Sequence, residues 1–176
     1  MVNQISIEMR PFVVDQKSRL GDWELDTVIG KGHRGAMVTM TERKSKLLRI
    51  KKVGQKTGKL VGTAICQKLA DWQVHTLTSD NGREFSDHEK IAAKLAASFY
   101  FCHPYSSWER GLNENTNGLI RQYFPKKMEF DKITCWQIRE VEKKLNNRPR
   151  KTLNYQTPNE VYFKEQAQLR KVALTT

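Results

Sequence analysis

Three acidic residues stand where a carboxylate is in a position to do chemistry. Asp26 interrupts the apolar alternation of DWELDTVIG, Asp22 to Gly30. An ionised group buried there is costly unless it is paired or bound to a metal. Asp80 closes VHTLTSDNG, just before the turn signal Asn81-Gly82. Glu114 lies in SWERGLNENTNGLIRQYFPK, Ser107 to Lys126, among three asparagines in five residues. Two aspartates on different strands and one glutamate on a helix can converge on a point. Such a set repels itself unless a cation matches it. Hard divalent cations such as Mg²⁺ take oxygen ligands of this kind. Two of them, about 3.5–4 Å apart, activate a nucleophilic oxygen and stabilise a leaving oxygen at phosphorus. Each acid also has a plainer reading. Asp26 can be an edge-strand aspartate facing water, and Asp80 a turn residue bonded to its own backbone. Glu114 can be a solvated helix residue.

Helix phase separates the two glutamates of the asparagine-rich segment. At about 100° per residue, Glu114, Asn117 and Arg121 share one polar stripe, opposite Leu112, Leu119, Ile120 and Tyr123. Glu109 falls on the apolar side, and Gly111 weakens a helix there. Glu109 is therefore expected in the loop before the helix.

These candidates need a scaffold. The 176 residues, 38% hydrophobic and 28% charged, fit one globular domain. The order reads as strand, hairpin, helix, strand, helix, strand and three helices. Capping boxes are expected at Ser86/Glu89 and Thr134/Gln137, with Thr157 as a further cap. A mixed α/β sheet flanked by helices is the natural architecture. Residues 1–20 lack periodicity and are expected as an extended lead-in. Residues 21–165 form the core, and 166–176 a helix end or tail.

The net charge of +12 points to a polyanionic partner. Arg43 to Lys59 carries eight basic residues and no acid, and reads as a phosphate track. Cys66, Cys102 and Cys135 lack zinc-site spacing, so no structural zinc is expected, and free thiols suit a cytosol. No run of about 18 apolar residues and no secretory signal occurs, so no membrane association is expected.

GDWELDTVIGKGHRGAMVTMTERKSK, LTSDNGREF, HPYSSWERGLNENTNGLIRQYFPK and LNNRPRKTLNYQTPNEVYF together resemble bacterial transposases of the insertion-sequence thirty family. The likeness runs from about Gly21 to Phe163. It implies a ribonuclease-H-like fold of retroviral integrase type with an Asp-Asp-Glu triad. The family's acids fall on Asp26, Asp80 and Glu114, and 33 residues lie between the last two. The resemblance further implies two Mg²⁺ or Mn²⁺ ions per site. The implied reactions are hydrolysis at transposon ends and transfer of the 3′-hydroxyl into target DNA. A homodimer or larger assembly and a bacterial cytoplasmic, nucleoid-associated location follow from the same likeness.

Asn81, Arg83, Arg110, Asn117, Arg121 and Lys126 are the candidate DNA contacts, and the Tyr105–Arg110 loop is expected to close over DNA. Leu25 stands where a small residue is expected, which adds bulk beside Asp26. The family's N-terminal helix-turn-helix region has no counterpart here, so DNA binding with little sequence preference is expected. An alternative reading is a non-catalytic remnant that binds DNA or oligomerises and inhibits a longer transposase.

Overall fold

The computed structural model describes residues 1–175. Its strands are β1 (Asp22–Ile29), β2 (Ala36–Glu42), β3 (Leu48–Val53), β4 (Thr76–Ser79) and β5 (Ser98–Phe101). Its helices are α1 (Phe12–Gln16), α2 (Gly58–Leu69), α3 (His88–Leu95), α4 (Gly111–Tyr123), α5 (Cys135–Asn146) and α6 (Pro158–Thr175). The strand order is β3-β2-β1-β4-β5, antiparallel on the β2–β3 side and parallel from β1 to β5.

Alternation along β1 explains the layers. Trp23 and Leu25 enter an apolar cluster with Val61, Ile65 and Leu69 of α2 and Tyr162 of α6. Val28, on the other face, joins Ile120 and Phe124 with Ile138, Val141 and Leu145 of α5. Helices on both sides leave the central strand buried, which makes the acids of its α4/α5 face informative. Asp22 is paired with Arg19 and accepts from Thr76. Glu24 is paired with Arg43.

Edge strands expose backbone groups that attract other chains. At β3 this is managed by side chains of α5. Asn146 Oδ1 accepts from Leu48 N, and its Nδ2 donates to Leu48 O, both at 2.8 Å. Glu142 Oε2 accepts from Ile50 N at 2.6 Å. On the far edge, the four-residue β5 is covered at Phe101, whose N–H donates to Ile5 O at 2.9 Å.

Two local expectations differ from the structure. The lead-in is not uniformly extended. It contains a 3₁₀ turn at Ile7–Met9 and the one-turn α1, ended by Lys17 in the left-handed conformation at φ 53°. An ion network of Arg10, Asp15, Arg43 and Glu24 ties it to the sheet. The Ser86/Glu89 capping box does not form. Ser86 is used to close a 3₁₀ turn at Arg83–Phe85, and α3 starts at His88, one residue later than a Ser86 cap requires. Asp87 takes the cap position, and Glu89 accepts from Asn3. The Thr134/Gln137 box forms in full. Thr157 caps α6, with Glu160 answering to the Thr157 N–H. Residues 166–175 continue α6, and the last residue of the 166–176 tail lies outside the described residues.

Candidate active site

Asp26 and Asp80 meet where β1 and β4 part. The strands are in parallel register through three pairs, the last Glu24↔Thr78. Asp26 follows two residues later, and Asp80 comes directly after β4. Asp80 therefore lies beyond the carboxyl end of β4, where open α/β sheets leave a crevice, and Asp26 flanks it from within β1. The Asp26 side chain is 17% exposed and that of Asp80 34%.

Each carboxylate is oriented by short bonds. Asp26 Oδ1 accepts from Thr27 N at 2.7 Å, and Oδ2 from Asn117 Nδ2 at 2.8 Å. Asp80 Oδ1 accepts from Gly82 N at 2.9 Å. That is the local turn bond of the plainer reading, and it leaves Oδ2 to Arg110. Gly82 leaves room for the two carboxylates beside it. A Cβ there would collide with the Glu84 carboxylate and lie 2.8 Å from Asp80 Oδ1. One cation touches both aspartates: Arg110 Nη1 lies 2.8 Å from Asp80 Oδ2 and 3.9 Å from Asp26 Oδ1. Burial pushes the Asp26 carboxyl above its ordinary range, and Asp80 adds to this. The Thr27 N–H, Arg110 and Asn117 oppose it.

The polar stripe of α4 docks on β1. Beyond Glu24 the edge of β1 has no β4 partner. Asn113 Nδ2 donates to Leu25 O at 3.2 Å, Asn117 reaches Asp26, and Arg121 Nη2 donates to Ile29 O at 2.8 Å. Spacing of four residues puts these three on one helix face. This seam accounts for Asn113 and Asn117. Glu114 is one residue around from Asn113, exposed on the first turn of α4, where the helix dipole favours an acid. Among the described residues, no three Asp, Glu, His or Cys side chains gather closely enough to hold a metal. The structure brings Asp26 and Asp80 together and leaves Glu114 apart on the adjoining helix turn.

The donor chemistry suits a hard cation. Two carboxylates already share one positive group. Asn117 Oδ1, buried and without a hydrogen-bond partner among the described residues, adds an amide oxygen beside Asp26. Asp80 and Arg110 also border a cleft of about 320 Å³ with His103 and Tyr105.

The remaining candidates divide. Arg83 and Lys126 are exposed. Asn81 bridges chain segments, donating to Cys102 O at 2.6 Å and accepting from Gln4 at 3.0 Å. Arg121 is held by Ile29 O and Phe124 O and sits over the Phe130 ring. Much of the basic run 43–59 is also internally engaged. Arg43 pairs with Glu24, Lys44 with Glu165, Arg49 with Glu142 and Lys56 with Glu84. Lys52 donates to the carbonyls of Asp131 and Ile133.

Glu109 lies in the 3₁₀ turn Ser107–Arg110, as a loop residue before the helix. It holds His103 through Nδ1 at 2.7 Å and through the backbone N–H at 2.9 Å. Glu84 was not singled out in the sequence. Buried behind Asp80, it pairs with Lys56 and accepts from Thr27 Oγ1 at 3.0 Å. No local pattern distinguishes it from an ordinary turn glutamate.

No family model matches the chain. Over 166 residues it is 50% identical to the transposase for insertion sequence element IS4351 of Bacteroides fragilis, covering 90% of this chain and 49% of that protein. It is 39% identical over 164 residues to transposase InsI of element IS30A of Escherichia coli K12, covering 92% and 43%. The chain thus spans about half the length of the curated relatives it matches. Among solved structures, the catalytic core domain of BIV integrase superposes with a TM-score of 0.67 at 21% identity, covering 84% of this chain and 97% of that one. That likeness establishes the fold, an integrase-core, ribonuclease-H-like one.

Proposed function

From the premise that this chain belongs, over the part it spans, to the insertion-sequence transposases that include IS30, we propose that it is a DNA transposase catalytic core of Asp-Asp-Glu type. The observation that carries the reading is the meeting of Asp26 and Asp80 at the end of the β1–β4 pairing, with Glu114 on the helix that docks there. Asp26, Asp80 and Glu114 would hold Mg²⁺ or Mn²⁺, two ions per site. Such ions, when bound, lower the barrier by activating an oxygen nucleophile and stabilising the leaving oxygen.

The substrate is a phosphodiester of the transposon end. Water displaces the 3′-oxygen at phosphorus and leaves a 3′-hydroxyl. That hydroxyl then attacks a target phosphodiester, one P–O bond forming as another breaks. No covalent enzyme intermediate is involved. Exposed Arg83 and Lys126 supply positive charge to the DNA backbone on the approach to the crevice. Asn117 and Thr27 N–H fix the Asp26 carboxylate. Asn81 and Arg121 act on the scaffold through the bonds described.

Bringing two element ends together calls for a dimer or larger assembly on DNA in the bacterial cytoplasm. Among the described residues no helix is long and apolar enough to cross a membrane.

The test is strand transfer with pre-cleaved end DNA and Mn²⁺. Wild type joins the end to target. Glu114→Gln loses joining by a factor of about 10³ or more while still binding DNA. Unimpaired joining by Glu114→Gln excludes the triad. Nicking without joining in wild type identifies a nuclease instead.

A further inference from the structure

Arg110 occupies an unusual place. Its guanidinium is the cation between Asp26 and Asp80, 3.9 and 2.8 Å from their oxygens, and it is only 26% exposed. It is also the last residue of the 3₁₀ turn Ser107–Arg110 and the residue before α4, with φ −119° and ψ 25°. Glu114 follows one helical turn later. Arg110 therefore neutralises the aspartate pair and directly precedes the helix that carries the third acid.

Two carboxylates facing one crevice need a positive neighbour. Lys56 is committed to Glu84 on the far side of the turn, and Arg121 to the carbonyls of Ile29 and Phe124. The guanidinium of Arg110 meets the need with planar N–H donors suited to carboxylate oxygens. A divalent cation on the same oxygens would face a fixed positive charge within about 4 Å, where repulsion in a half-buried site is strong.

We infer that Arg110 is a placeholder cation. It holds Asp26 and Asp80 in ligand geometry and is displaced when a divalent ion takes their oxygens. The inference rests on the reading of these aspartates as metal ligands. Arg110 is a positioning residue in this scheme. Its departure frees the Asp26 and Asp80 oxygens for the ion. The device makes metal entry conditional on displacing Arg110, so the unloaded protein keeps Asp26 and Asp80 together and neutralised, with Glu114 apart on α4.

The experiment is calorimetric titration of Mn²⁺ alone into wild type, Arg110→Gln, Arg110→Lys and Asp80→Asn at one ionic strength. Folding of each is checked by circular dichroism, and Arg110→Ala replaces Arg110→Gln if the latter is unfolded. Removal of the competing charge makes Arg110→Gln bind Mn²⁺ about ten-fold tighter or more, while Arg110→Lys stays near wild type. Equal or weaker binding by Arg110→Gln, with binding lost in Asp80→Asn, overturns the placeholder and leaves the metal site standing. A gain by Arg110→Lys as large as that of Arg110→Gln also overturns it, because the charge is then not the competitor. Wild-type affinity in Asp80→Asn, or no binding by any variant, removes the metal reading and the placeholder with it.

Discussion

His103 shows how one residue can set the order of the loop beside the crevice. Its ring donates to Glu109 and lies 3.2 Å from Glu8, and the Glu109 bond above all raises its pKa from the ordinary 6.5. A histidine with a raised folded-state pKa contributes its full stability below the unfolded value. That contribution is lost as pH rises through the folded value. The segment from His103 to Arg110 is therefore tightest in mildly acidic solution and loosens above the raised value. The NMR titration midpoint of His103 should lie above 6.5, and Glu109→Gln should bring it back down. A midpoint indifferent to that substitution would remove the clamp. At this scale the sequence was informative about Asp26, placed inside its strand by periodicity, and Asp80, placed at the end of its strand by turn chemistry. It offered Arg110 as a DNA contact and not as the partner of Asp80. The Arg110–Asp80 contact joins residues 30 apart and depends on how a 3₁₀ turn is seated, which no local pattern encodes.

The same economy governs two helices. α4 docks its Asn113, Asn117 and Arg121 on the part of β1 that β4 leaves bare, and α5 docks Glu142 and Asn146 on β3. In both, polar residues four apart stand in for a missing strand. Apolar periodicity predicts that such helices exist and which side is greasy. It misassigns the polar side, which reads as solvent-facing when it is a hydrogen-bonding seam. That is why Asn117 and Arg121 were visible in the sequence as a polar stripe while their docking on β1 was not, and Glu114 of the same stripe does stay exposed. Asn146→Ala strips Leu48 of both a donor and an acceptor in a buried place. The expected cost is about 2–3 kcal/mol, measured by denaturant unfolding. A loss below about 0.5 kcal/mol would mean that water replaces the side chain without penalty.

Taken whole, the molecule is less uniformly sticky toward polyanions than its +12 charge implies. Several cations of the 43–59 run hold acids or carbonyls of the fold, whereas Arg83 and Lys126 are exposed. Charge reversal should therefore separate two classes. Lys126→Glu lowers the salt slope of DNA binding by about one with stability unchanged. Lys52→Glu lowers the melting temperature, since its ammonium joins β3 to the loop carbonyls of Asp131 and Ile133. Fluorescence anisotropy across a salt series and a thermal melt read both. Equal slopes for wild type and Lys126→Glu would place the DNA elsewhere.

The treatment of the sheet margins reaches beyond stability. One margin is sealed by amide and carboxylate groups of α5, and the other is four residues long and runs under the chain at Ile5. Such a molecule offers a second copy little backbone to template against. Crowding many copies along one polymer then does not drive cross-β growth, and recognition between copies has to be written in the side chains of helix exteriors.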